Sequence, residues 1–156
     1  MRVTFRAASA ADEAVLLPMM GALWEHEGIP FDEEAVRPAL GVLLAEPALG
    51  GVWLALADDR PVGYAMGTWG FSTEQGGRFL LLDELFVLPP CRGRGIGRAT
   101  LALVEEEARR GGARAVRIEV AEGNREARAL YRAAGYADPG RRFLARKLAA
   151  PADVPR

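Results

Sequence analysis

The sequence predicts a mixed α/β (α+β) fold, one sheet with helices packed on it, and three observations carry that prediction. Strand-like and helix-like patterns follow one another as strand, two helices, three strands, helix, strand, helix and a last short strand. The run RFLLLDELFVL, Arg78 to Leu88, is apolar on both alternating faces except at Asp83 and Glu84, as befits a central strand covered on both sides. The 156 residues, 50% of them apolar and 26% charged, are enough for one domain with a core of its own.

The elements follow in order. Val3 to Arg6 alternates and carries β-favouring Val, Thr and Phe, a first strand. Ser9 followed by Asp12 reads as an N-cap signature before a helix over Ala14 to Glu27, with Leu16, Met20 and Leu23 on one side. Pro18 is expected to kink or split that helix. Phe31 to Glu46 is a second helical stretch, entered through Asp32, Glu33 and Glu34, with Pro38 against it. Val52 to Ala57 and Val62 to Thr68 form an antiparallel hairpin across Asp58-Asp59-Arg60-Pro61. A polar, Gly-rich connection, Phe71 to Gly77, leads to the central strand.

Beyond it, Ile96 to Arg110 is helical, with Ile96, Thr100, Leu103 and Val104 on one side and Gly111-Gly112 as the stop. Val116 to Ala121 is the next strand. Asn124 caps a helix carrying Ala127, Leu130, Tyr131 and Ala134, ended by Gly135. Phe143 to Leu148 makes a short last strand, so the domain spans 1–148, and 149–156 is expected to be a flexible tail.

Composition removes whole classes of function. The single Cys91 and single His26 exclude a disulfide framework, a multi-Cys zinc site and the HExxH helix, so no metal is expected. A net charge of -1 offers no broad footprint for nucleic acid. The opening MRVTFRAASA lacks a secretory apolar core, and no window approaches the ~18 to 20 apolar residues of a membrane span. A soluble, cytoplasmic protein is expected. The 20 basic residues comprise 19 Arg and one Lys, Lys147, which excludes a Walker-type phosphate loop.

The segment that carries chemistry is Pro89-Pro90-Cys91-Arg92-Gly93-Arg94-Gly95-Ile96-Gly97-Arg98, between the central strand and a helix. Glycines at alternate positions let the backbone turn tightly and approach a ligand without Cβ obstruction. The following helix offers free N–H groups and the positive end of its dipole, and Arg92, Arg94 and Arg98 add charge, so a diphosphate is the natural occupant. A dinucleotide fingerprint started at Gly93 would need Gly where Arg98 stands. Glu119 lies at a suitable distance for a ribose contact, but the loop follows several strands instead of opening a βαβ unit.

Val87 to Leu101, VLPPCRGRGIGRATL, resembles the acetyl-CoA loop of the GNAT superfamily of N-acetyltransferases, with Arg92, Gly95 and Gly97 at the positions of Arg/Gln-x-x-Gly-x-Gly/Ala. Asn124 to Tyr136, NREARALYRAAGY, resembles a second family landmark, and the likeness covers about residues 3 to 148. The resemblance implies a central mixed, mostly antiparallel sheet of about six to seven strands flanked by about four helices. It implies that amides from Gly93 through Arg94, Gly95, Ile96 and Gly97 to Arg98 cradle the pyrophosphate of acetyl-CoA. It sets main-chain groups of Leu85, Phe86 and Val87 along the pantetheine arm, where an amide can also stabilise the oxyanion. Asn124 contacts the pantetheine region.

The family chemistry is direct attack by a primary amine on the thioester. An alkylamine of pKa about 10.4 is protonated at pH 7, so a carboxylate must take its proton. Asp83 and Glu84 are the candidates; alternation sends them to opposite faces unless a bulge intervenes, and Asp83 shares parity with Leu85 and Val87. Tyr131 is the family-like acid for the departing thiolate. Cys91 and His26 are read as bystanders. Glu25, Glu27, Asp32, Glu33, Glu34 and Glu74, with Trp24, Phe31, Trp69 and Phe71 among them, suggest an acidic, aromatic-lined acceptor pocket suited to a small cationic amine or a basic side chain. The alternative is a catalytically silent acyl-CoA-binding regulatory module on the same fold. A homodimer is common among similar proteins.

Overall fold

A computed structural model of the chain describes residues 1–148; the expected tail, 149–156, lies outside the described residues. Among those residues the sheet has five strands, in the order of the chain: β1 (Val3–Ala7), β2 (Gly50–Ala57), β3 (Arg60–Ser72), β4 (Gly77–Val87) and β5 (Ala115–Ile118). Neighbours pair antiparallel except β4 and β5, which are parallel. The helices are α1 (Glu13–His26), α2 (Glu33–Ala45), α3 (Ile96–Arg110) and α4 (Arg125–Ala133). None is long and apolar enough to cross a membrane.

Alternation along the strands builds a core on each side of the sheet. On one side Leu16, Leu17, Met20 and Leu23 of α1 and Leu40 of α2 pack on Val52, Leu54, Tyr64, Met66 and Phe86. On the other, Leu101, Val104 and Ala108 of α3 and Tyr131 of α4 pack on Trp53, Ala65, Leu80 and Leu82. The β2–β3 turn puts Asp58 and Asp59 at φ 48° and 63°, the left-handed pair that lets a two-residue turn match the strand twist.

Four sequence expectations change. Pro18 and Pro38 lie inside α1 and α2, which run on through them. A proline in a helix interior costs about 3 kcal/mol. Burying each large apolar side chain returns about 1.5–3 kcal/mol, and α1 alone buries Leu16, Leu17, Met19, Met20 and Leu23, so packing wins. The connection expected at Phe71 to Gly77 is shorter, because the ladder continues to Ser72 opposite Gly77. The strand expected to reach Ala121 ends at Ile118. Phe143 to Leu148 forms no strand, which leaves the sheet short of the expected six to seven. Apolar residues there fall at 143, 144, 145 and 148 and give no alternating face; Leu144 is 97% exposed.

Candidate active site

The site begins where β4 loses a neighbour. Phe79 to Leu82 pair with β3 on one side and with Ala115 to Ile118 of β5 on the other. The last rung on the β5 side is the Glu119 N–H donating to the Leu82 carbonyl at 3.2 Å. From there β4 pairs only with β3, and a cleft opens between its edge and α4.

A β-bulge marks the same point. Leu82 lies opposite Gly67 and Glu84 opposite Met66, so Asp83 is the inserted residue. The insertion switches faces: Leu80 and Leu82 point to the α3 side, whereas Glu84 and Phe86 point to the α1 side. It also sets which backbone groups are free. Leu88 N–H donates to the Val62 carbonyl at 2.8 Å, and antiparallel rungs alternate, so the main chain of Phe86 turns toward β3. The N–H and C=O of Leu85 and Val87 turn away from β3, into the cleft. The main-chain role expected of Phe86 is thereby corrected; its ring packs in the α1-side core.

At the far end of that edge the loop and α3 supply donors. Gly93 and Gly95 adopt φ 72° and 79°, left-handed geometry that costs a side-chain-bearing residue about 1–2 kcal/mol. Gly95 is the N-cap of α3 and has no side chain to cap the helix, so the first-turn amides of Ile96, Gly97 and Arg98 stay available to a ligand. A Cβ on Gly97 would stand 3.4 Å from Leu130 and 4.0 Å from Leu85, both cleft walls, so the missing side chain keeps the floor open. Arg92 Nε donates to the Val87 carbonyl at 3.0 Å and ties the loop to the strand edge. Arg94 is exposed and directed at Met1, outside the lining.

The cleft has a volume of about 240 Å³. Leu85, Phe86, Val87, Arg92, Gly93, Gly95, Ile96, Gly97, Arg98, Asn124 and Tyr131 all meet in its wall. Asn124 enters through its position as N-cap of α4, where its Oδ1 accepts the Ala127 N–H at 3.1 Å. Tyr131 is 8% exposed, and burial, reinforced by the Glu27 carboxylate, pushes its phenol up to about 12. It stays protonated across the neutral range.

The two candidate carboxylates part company. Glu84 is held from both sides: Trp24 Nε1 donates to one oxygen at 2.7 Å and the Tyr64 hydroxyl to the other at 2.5 Å. Burial raises its pKa, against those two donors. Asp83 is exposed at the bulge, next to Leu82, whose carbonyl accepts the Glu119 N–H. Burial first, then Asp83 and Glu27, raise the Glu119 pKa.

Sequence reasoning missed Trp24 and Tyr64 as partners of Glu84, Glu119 as the last rung to β4, and Leu23 and His26 as cleft walls. One signal for Glu119 was present: it directly follows the strand parallel to β4, and strand ends that diverge build sites. The acidic acceptor wall contracts. Asp32 caps α2, Glu33 pairs with Arg37, Glu74 pairs with Arg141, and Trp69 packs on the α3 side. Trp24 remains on Glu84, with Phe31 edge-on to Trp24 at 5.3 Å, and the Glu27 charge acts on Glu84 as well.

A mixed sheet split beside a glycine-rich anion cradle, with a buried tyrosine facing the split, defines a class, and comparison with known proteins identifies it. The sequence matches the Acetyltransferase (GNAT) family over residues 17–136. It is 30% identical over 152 residues to thialysine N-epsilon-acetyltransferase of Bos taurus, covering 87% of this chain and 85% of that protein. Among solved structures, the integron cassette protein HFX_CASS3 from the mobile metagenome of Cole Harbour Salt Marsh superposes with a TM-score of 0.81 at 34% identity, over 94% of this chain and 91% of that one. Aminoglycoside N-acetyltransferase AAC(6')-Iy, in complex with CoA, shares the fold with a TM-score of 0.78 at 19% identity, over 94% and 95% of the two chains. The chain belongs to the GNAT acetyltransferase family and is an N-acetyltransferase of that family.

Proposed function

We propose that this enzyme transfers the acetyl group of acetyl-CoA to a primary amine by direct attack, with small cationic amines or basic side chains as the favoured acceptors. The observation that carries the reading is the half-paired edge of β4, which runs from the anion cradle toward Tyr131. Acetyl-CoA supplies the activated acetyl thioester. The amides of Ile96, Gly97 and Arg98 and the nearby arginines would hold its diphosphate, and the free N–H and C=O of Leu85 with the N–H of Val87 would pair with the amide-bearing arm as a further strand does. One of those N–H groups also faces the developing oxyanion.

Overall the amine nitrogen loses two protons, the N–C bond forms and the C–S bond breaks. One proton passes to a carboxylate at the bulge and on to solvent; Asp83 and Glu84 are the two that the sequence nominates. The other replaces, on Tyr131, the proton that its hydroxyl gives to sulfur. A phenol held near 12 keeps its proton until sulfur gains charge, and its hydrogen bond to sulfur strengthens as the C–S bond breaks and the proton passes across. The Glu27 carboxylate, whose charge reaches Tyr131, Tyr64 and Glu84, favours a cationic acceptor, and the bovine relative above is a thialysine N-epsilon-acetyltransferase.

Thermal melting with acetyl-CoA, CoA and NAD(P)H in parallel tests the reading. CoA species at about 100 times their dissociation constant should stabilise by roughly 2.7 kcal/mol. Free-thiol release should then follow addition of linear diamines or free lysine. Stabilisation by the nicotinamide alone would overturn it, and binding without thiol release would indicate a silent acyl-CoA-binding module.

A further inference from the structure

We infer that Glu84 is a positioning residue for the acceptor amine: it clamps Trp24 to Tyr64 and so sets the end of α1, whose Leu23 and His26 wall the cleft. The inference rests on the transferase reading above.

The clamp spans three elements. The bulge turns Glu84 of β4 to the α1 side, where it accepts from Trp24 Nε1 of α1 at 2.7 Å and from the Tyr64 hydroxyl of β3 at 2.5 Å. Each oxygen has its own donor, and hydrogen bonds to a charged group are the strong, directional kind, so the carboxylate is fixed at both ends. Tyr64 is 0% exposed and packs on Phe86, ring centroids 6.2 Å apart. The sheet is the rigid side of the clamp and Trp24 is the held side.

Trp24 in turn carries the end of α1 and the connection beyond it. Its carbonyl accepts the Ile29 N–H at 2.8 Å, across Gly28 at φ 70°, which closes the helix. Phe31 meets the Trp24 ring edge-on and fills the space beside Gly21, where a Cβ would stand 3.3 Å from it. Pro18 lacks the N–H that would bond back to Ala14, so the turns after it rely on side-chain contacts for their placement. Leu23 and His26, three residues apart, share the helix face that lines the cleft. Trp24 lies between them in the chain, so a change in its seat moves both.

Position in the fold assigns this wall to the acceptor. Glu84 is absent from the cleft lining, whereas its neighbour Leu85 is part of it. The anion cradle lies at the other end of the open edge, past Val87. The helices that carry the cradle and Tyr131 pack on one face of the sheet, and α1 packs on the other. A thioester laid along the edge of β4 therefore has cofactor-binding groups on one side and the α1 wall on the side left for the amine.

The test uses Trp24→Phe and Tyr64→Phe, which each remove one donor and keep a ring, together with Glu84→Gln. In thiol-release assays with linear diamines or free lysine, each should raise the acceptor KM by about tenfold, the scale of one hydrogen bond to a charged group. In the two aromatic variants kcat should change by less than KM, and the melting shift with acetyl-CoA should stay as in wild type. The double variant Glu84→Gln/Trp24→Phe should raise KM little beyond either single change, because both cut the same link. The aromatic variants carry the same expectation if Glu84→Gln does not fold. An acceptor KM within threefold of wild type in both aromatic variants overturns the inference. So does a loss of acetyl-CoA binding as large as the loss of acceptor binding, which would make the clamp part of the fold alone. Glu84→Gln losing kcat with KM unchanged, beside aromatic variants that behave as wild type, would make Glu84 a proton acceptor instead. A wild-type protein that binds acetyl-CoA and acetylates none of these amines overturns this inference together with the transferase reading.

Discussion

The two halves of β4 are one continuous strand with opposite fates. Phe79 to Leu82 are paired on both edges, and Leu80 and Leu82 are fully buried under α3. Leu85 to Val87 are paired on one edge, and two sets of backbone groups point into a cleft. The residue types barely differ: three leucines in one half, then Leu, Phe and Val in the other. Side-chain chemistry therefore does not separate scaffold from site; the loss of a neighbouring strand does. The bulge at Asp83 sits on the boundary, consistent with the tendency of bulges to lie beside active sites.

The contrast can be broken from the scaffold side. Leu80→Ala should destabilise the fold by about 2–5 kcal/mol, since Leu80 is 0% exposed. Leu85→Ala, on the open half, should cost clearly less. Urea denaturation of both variants measures the gap, and equal losses would mean that the two halves share one core.

From the site side the effects fall on turnover instead. Tyr131→Phe should lower kcat by about 100-fold, the scale of a lost acid, with the acetyl-CoA melting shift intact. Unchanged kcat would remove Tyr131 from the chemistry and leave it as a core aromatic. Gly95→Ala should cost about 1–2 kcal/mol of stability because of its φ of 79°, and should weaken acetyl-CoA binding in the same thermal assay.

The smallest effect concerns protonation. Near the β1 edge Asp12 is held down to about 2, chiefly by the Arg6 guanidinium at 2.7 Å. Its folded pKa is below its ordinary 3.8, so its contribution is present above pH 3.8 and fades as pH falls through about 2. That is worth about 1 kcal/mol after allowing for the exposed Arg6. At the open half the sign reverses. Glu84 and Glu119 have raised pKa values, so stability is lost as pH rises through them. Melting curves from pH 2 to 8 should show Asp12→Asn flattening only the acid arm.

Much of this was legible in the sequence, for local reasons. Gly93 and Gly95, the acidic entry of α2, the cap at Asn124 and the Asp58-Asp59 turn are decided within a few residues, and the structure has them where the pattern put them. The helices around Pro18 and Pro38 and the end of β5 depend on what packs against them, which no window of sequence contains. The bulge is the clearest case. Asp83 and Glu84 are adjacent acids in an apolar run, and only the register against Met66 and Gly67 shows which one is extra. The hold of Trp24 and Tyr64 on Glu84, between residues distant in the chain, was out of reach for the same reason.

The inserted residue also constrains how the enzyme can vary. A pleated strand has a reading frame of two, and Asp83 shifts it once, so everything downstream is read in the other phase. Were Asp83 paired as an ordinary rung instead, with the bulge lost, Leu85 would turn to the α1 side and Phe86 to the α3 side, the inward and outward amides would exchange, and the cleft would meet the main chain of Phe86 in place of that of Leu85 and Val87. What sets the open half of β4 is thus the bulge being kept out of the ladder, not the side chain that stands at 83.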